Sequence, residues 1–268
     1  MVDHTWGAPV ELTPLVSLSA IALAISSVVV SILALVLMVR YVPERWREGS
    51  ALKDGVEHFS ALNRTLFSFI LALSIVSAGA SLSKAGDEVS NEGSSLVNLY
   101  WATRPLPETP RTEVRELARE YTVTVIDDEW PVMAKGRSSP RAQQLYDELR
   151  RKLQDTAGES KQEQTFARDS LLALREVGDA RRARMLAVSQ EVPNYLWIGL
   201  ILSAVLLVAT AALQIQELTW PGIVGIGGLA LLLVGVLTLL SAMNHPFGGG
   251  IHVEPDALRF ALDRFSVI

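Results

Sequence analysis

The 268 residues are 49% hydrophobic and 20% charged, carry a formal net charge of -5 and include no cysteine. The lack of cysteine excludes disulfides, zinc-thiolate and iron-sulfur centres and cysteine nucleophiles, while leaving the compartment open. Acidic and basic residues alternate with no basic stripe to neutralise phosphates, which argues against nucleic acid as a partner.

Apolar residues are segregated. Four runs, at about residues 15–39, 65–82, 195–213 and 223–242, contain no Asp, Glu, Lys, Arg or His. Each approaches the roughly 20 residues that an α-helix needs to cross the hydrocarbon core. They predict an all-α membrane protein with four transmembrane helices and a helical extramembrane bundle between the second and third. The segments are then a first pair with its loop (1–82), a polar insert (83–193), a second pair (194–243) and a polar tail (244–268). Ala- and Leu-rich composition without frequent turn signals argues against tandem strands. The first run reads as a retained helix, because residues 1–38 lack the Lys or Arg of a signal peptide's n-region.

Tyr41-Val42-Pro43-Glu44-Arg45-Trp46-Arg47 mixes aromatics with arginines, as at the headgroup level. Basic residues near the span ends divide five (Arg40, Arg45, Arg47, Lys53, Arg64) against four (Lys84, Arg181, Arg182, Arg184), a lean toward an outside insert. Four spans put both termini on one side whichever orientation holds.

In the second run, Ser74, Ser77, Ser81, Lys84 and Glu88 recur every three or four residues, and the same helical face extends back to Phe67 and Ile70. Two readings stay open. Small residues let membrane helices pack closely; alternatively the face lines a water path, with Phe67 and Ile70 as an apolar constriction.

The insert opens on residues 79–95, rich in Gly, Ser and acids, and reaches Pro105, Pro107 and Pro110, which break regular structure. Helix signals resume with Val114, Leu117, Tyr121 and Val125 at helical spacing. Glu129-Trp130-Pro131 reads as a helix stop, with Trp130 packed on the bundle. A second helix has Ser139 as N-cap, Pro140 at its first position, and Ala142, Leu145, Tyr146, Leu149 and Leu153 on its buried stripe. A third, at about 159–190, uses Phe166, Leu171, Leu174, Met185 and Val188, and is expected to enter the third span with little interruption before Pro193. Amphipathic helices of this kind pack as a bundle. Thr219-Trp220-Pro221-Gly222 turns the last two spans into a hairpin.

Catalytic signals are sparse. Asp127, Asp128 and Glu129 form an acidic triplet with no nucleophile or histidine beside it. His245, His252, Glu254 and Asp256 lack metal-site spacing, and Gly248 to Gly250 lack the context of a phosphate loop. No metal, other cofactor or enzymatic activity is expected. Uncharged, unbroken spans also disfavour a carrier.

Asn244-His245-Pro246-Phe247-Gly248 follows the fourth run, and Glu129-Trp130-Pro131 lies in the insert. With Val42-Pro43-Glu44, Arg181 to Arg184 and the Pro193-led third run, this order resembles the bacterial bestrophin-like membrane proteins, distantly similar to bestrophin anion channels. The resemblance implies a homo-oligomer, with a pentamer suggested, in the cell membrane, with cytosolic termini and insert and the second span lining an anion pore. Bestrophins of animals follow Pro-Phe-Gly with a dense acidic calcium site, whereas Gly249 to Asp256 here contain two acids, too few for six to eight oxygen ligands. The expected function is an oligomeric, anion-favouring channel in the lipid bilayer. The alternative is a non-conducting scaffold or sensor whose insert binds a protein partner.

Overall fold

The computed structural model describes residues 50–156, 160–189, 192–215, 219–248 and 250–268. The expected first span, Val42-Pro43-Glu44 and the aromatic-arginine segment lie outside these residues. Every regular element among the described residues is helical.

The elements are α1 (Ser50–Ala102), α2 (Glu108–Thr124), a π-turn (Val125–Glu129), α3 (Trp130–Met133), α4 (Pro140–Asp155), α5 (Lys161–Ala187), α6 (Asn194–Gln214), α7 (Trp220–Met243) and α8 (Asp256–Phe265). Three of them, α1, α6 and α7, are long and apolar enough to cross a membrane. The chain divides into two compact units: Met1–Ala78 with Val192–Asn244, and Gly79–Glu191 with His245–Ile268. The tail thus belongs with the insert.

In the first unit, Phe67 and Ala78 of α1 form one cluster with Leu200, Ala204 and Leu207 of α6 and Leu233 and Leu240 of α7. Asn63 donates its side-chain amide to the Ser203 carbonyl at 3.0 Å. A polar contact of this kind ties apolar helices together where packing alone carries little hydrophobic driving force.

In the second unit, four corrections to the sequence reading emerge. Residues 79–95 are not an irregular opening but the continuation of α1, a single helix of 53 residues. Each interior glycine costs about 1 kcal/mol of helix propensity. The stripe Ala85, Val89, Leu96 and Leu99 is buried at helical spacing and offsets that cost. Gly93 also has a steric use, since a Cβ there would lie 2.5 Å from the Ala257 carbonyl oxygen of α8. The helix stops ahead of Pro105, where Thr103 and Arg115 donate to the Tyr100 carbonyl at 2.8 and 3.2 Å and Ser170 donates to that of Ala102 at 3.0 Å. Terminal carbonyls are thereby satisfied.

Glu129-Trp130-Pro131 does not end the helix begun at Glu108. The Trp130 N–H reaches the Val125 carbonyl, five residues back, and the chain resumes as α3 with Pro131 in its first turn. The wider turn accommodates a proline that ordinary helical pitch would reject.

The long helix of the insert does not run into the third span. It opens at Ser160 with a capping box to Glu163 and ends at Ala187. Pro193 then precedes α6 with extended backbone, as expected where proline lacks an N–H and its ring blocks the helical approach.

The tail is not merely polar, because α8 buries Leu258, Ala261 and Phe265. Phe265 stacks on Tyr100 with ring centroids 4.1 Å apart, and the Arg115 guanidinium sits 4.6 Å from the Tyr100 ring. The helix starting at Pro140 forms with its Ser139 cap, and Leu145, Leu149 and Leu153 are fully buried. Each contributes about 1.5–3 kcal/mol by burial.

Candidate functional site

The predicted face of α1 divides between the interior and the surface of the protomer. Phe67 is 7% exposed, packed among α6 and α7 side chains, and Ile70 is partly buried against the same cluster. Ser74 is fully buried and donates its hydroxyl to the Ile70 carbonyl within its own helix at 2.8 Å. Ser77, Ser81 and Glu88 are half-buried, and Lys84 is exposed. Phe67 and Ser74 therefore face protein within one chain, and the open arc of α1 lies to one side of them. That arc carries Leu62, Leu66, Phe69, Leu73 and Val76, all large and exposed.

The two insert and tail motifs meet in space. Trp130 and Phe247 make an edge-to-face contact with centroids 5.5 Å apart. Gly248 abuts α3 so closely that a Cβ there would lie 2.8 Å from the Ala134 carbonyl oxygen. Pro246 is buried and its carbonyl accepts from Val253 N–H at 2.8 Å, whereas Pro131 and His245 are exposed. In the other unit, the Asn244 side-chain oxygen accepts from Val192 N–H at 2.7 Å and fastens the end of α7 to the segment before α6.

Beside the tryptophan lies a buried ionic network. Arg184 donates from Nε and Nη2 to the Glu92 carboxylate at 2.5 and 3.2 Å, and from Nη2 to Glu129 at 2.9 Å. Arg181 donates to Glu129 at 2.7 Å and to Gln143 at 2.8 Å. Tyr121 donates its hydroxyl to Glu92 at 2.6 Å, and Ser139 N–H donates to Glu129 at 3.1 Å. The Arg184 guanidinium also lies 5.7 Å from the Trp130 ring centre.

Two guanidiniums balance two carboxylates, so the group is neutral as a whole. Burial alone would raise the Glu129 carboxyl, but Arg184 and Arg181 outweigh it and hold the group below its ordinary value. Burial would lower Arg184, yet Glu92, Tyr121 and Glu129 keep it more firmly protonated than usual. Burial and the Glu92 charge push the Tyr121 phenol well up. Such a network holds its side chains rigidly and leaves no free carboxylate pair for acid-base work. Asp127 and Asp128, the rest of the triplet, are exposed while Glu129 is buried, so the triplet does not act as one cluster.

The sequence matches the bestrophin-like domain over residues 25–258, which takes in both motifs, the network, the last three predicted spans and the later part of the first. The chain belongs to the bestrophin-like family. Neither the curated proteins nor the solved structures include one that matches it. It is thus a membrane protein related to bestrophin channels.

Within this bestrophin-like chain, Glu92 is the network residue that sequence reasoning missed. Its signal was present: Ala85, Val89, Glu92, Leu96 and Leu99 repeat every three or four residues, and one acid interrupts an apolar row. Arg181 and Arg184 likewise interrupt the row of Leu174, Val177 and Val188. Charges placed on buried stripes demand partners. Among the described residues, no group of three or more His, Asp or Glu converges to hold a metal ion.

Proposed function

We propose that this chain is one subunit of a homo-oligomeric channel for small inorganic anions in the cell membrane, with α1 beside the path and the insert on the cytosolic side. The observation that carries this reading is the row Leu62, Leu66, Phe69, Leu73 and Val76, alternating steps of four and three along α1 and left open by the described residues. Side chains so spaced share one helical face. Ile70, Ser77, Ser81 and Lys84 flank that row, the two serines and the lysine supplying hydroxyl and ammonium donors along one edge; Glu88 ends it.

The narrow, apolar part of the path then falls at Leu66, Phe69 and Leu73, where a ring of such residues gates by dewetting. Phe67 and Ser74 act from behind, seating α1 against its own protomer. The later spans, α6 and α7, contain no charged residue, so a water path takes several copies arranged by cyclic symmetry. The family resemblance suggests five.

Chloride release from liposomes tests the reading. Leu66→Ala and Phe69→Ala are expected to change the rate more than Phe67→Ala at equal inserted protein. Silence from well-inserted protein would favour the scaffold, and a single protomer in gentle detergent would overturn the channel.

A further inference from the structure

Between α4 and α5 lies a recess of about 320 Å³, lined by Tyr146, Arg150, Gln154, Leu171, Leu174, Arg175, Asp179 and Arg182. Three guanidiniums converge there against one carboxylate, in a chain whose net charge is -5. Asp179 is paired with Arg182. Among the described residues, Arg150 and Arg175 have no hydrogen bond or ion pair, and both are exposed to solvent.

The wall is shaped by a close approach. Tyr146 donates its hydroxyl to the Leu174 carbonyl at 3.3 Å, passing directly over Gly178. A Cβ at Gly178 would collide with that phenol oxygen. Glycine therefore keeps the Tyr146 ring seated as one side of the recess. Tyr146, Arg150 and Gln154 stand four residues apart on α4 and so share a face. Across the recess, Leu171 and Leu174 give an apolar wall beside Arg175.

The opposite flank of α4 has the reverse charge. The groove it forms with α2 is lined by Glu113, Glu116, Glu120, Glu148 and Asp155 against only Arg151 and Lys152. One helix thus separates an acidic groove from an arginine recess, and the recess is the side that accepts a negative ligand.

The geometry points to the recess as a binding site for a compact, multiply charged oxyanion, a phosphate monoester or diphosphate group, with Arg150 and Arg175 as its principal donors. Planar guanidinium forks match the oxygens of phosphate and carboxylate, whereas a spherical halide gains nothing from the fork. The volume lies at the small end of ligand pockets and suits a phosphate group better than a drug-sized organic molecule. The site is separate from the path proposed along α1, so its occupancy does not depend on conduction.

Calorimetric titration of inorganic pyrophosphate into the full chain in detergent tests it. Saturable binding is expected, weakened roughly tenfold or more by Arg150→Gln or Arg175→Gln. Gly178→Ala should weaken it through Tyr146, Arg137→Gln should leave it unchanged, and sodium chloride should give no saturable signal. Two arms separate the sources of the phosphate. Pyrophosphate affinity equal in neutral-lipid nanodiscs and in nanodiscs bearing phosphate-monoester headgroups assigns a soluble ligand, and an apparent affinity weakened by those headgroups assigns a lipid.

Absence of saturable binding in both arms would overturn the site, as would unchanged affinity in an Arg150→Gln, Arg175→Gln double variant of native helicity. A loss of oligomer mass in these variants without pyrophosphate binding in the parent protein would overturn it too, by assigning the recess to contact between copies.

Discussion

Arg184 and Glu92 are 92 positions apart in sequence, yet the guanidinium Nε lies 2.5 Å from the carboxylate and both side chains are fully buried. The pair joins α1 to α5, and Glu129 and Tyr121 complete its hydrogen bonding. Removing one member of a buried ion pair leaves the other charged and unpaired, at a cost of about 3–5 kcal/mol. Glu92→Gln should therefore lower the melting temperature of the purified protein sharply, while Glu88→Gln, at a half-buried carboxylate outside the network, should leave it nearly unchanged. Equal melting of the two variants would remove the network from any account of stability.

The same network sets a pH profile. The folded Glu129 carboxyl lies below its ordinary value of 4.5, so the stability it contributes is complete above the unfolded value. That contribution is lost as pH falls through the depressed folded value. Tyr121 has the opposite sign: its phenol is raised well above 10.0, so its contribution is complete below that and is lost as pH rises through the folded value. A melting curve measured across pH should fall on the acid side below about 4.5, and Glu129→Gln should flatten that fall while lowering the plateau. A parent protein equally stable at pH 3 and pH 7 would refute this.

Gly93 lets α8 approach α1, and a Cβ there would meet the Ala257 backbone at 2.5 Å. Gly93→Val should push α8 off its seat and break the stacking of Phe265 on Tyr100. Hydrogen exchange of the last ten or so residues should then speed up by one to two orders of magnitude, in keeping with local opening of a helix end. Gly86→Val, at a glycine with open space around it, is the matched control.

Phe67 and Leu66 are adjacent in sequence and face different surroundings, at 7% and 52% exposure. Truncating the buried ring should leave a cavity and cost about 3–5 kcal/mol. Leu66→Ala removes a side chain that the described residues leave half exposed, so its thermal cost should be well under half of that. Thermal melts of Phe67→Ala and Leu66→Ala in one detergent decide the order.

Helical character was legible residue by residue because its cause is local. The stripes of α2 and α4, the Ser139 cap and the absence of charge in the later spans all follow from periodicity and side-chain chemistry. The glycine-rich start of the insert misled, since glycine spacing reports propensity and not the buried face that outweighs it. Proline at 131 misled for a related reason: a π-turn absorbs it, and nothing in a short motif announces a changed helical pitch. In the tail, the apolar residues Leu258, Ala261 and Phe265 do repeat at helical spacing, but a ten-residue helix is marginal without the partner that only packing supplies.

What the sequence determined alone was a membrane protein of uncharged apolar helices around a charged helical insert, together with the short motifs that resemble the bestrophin-like family. Hydrophobic runs and caps act over a few residues, so they can be read in order along the chain. Only the tertiary structure decided that Trp130 meets Phe247, that Glu92 completes the arginine network, and that Phe67 packs against α6 and α7 while Leu66 stays exposed among the described residues. Those outcomes depend on which helical faces pack together, and partners tens of residues apart are chosen by joint burial and charge pairing that no local pattern encodes.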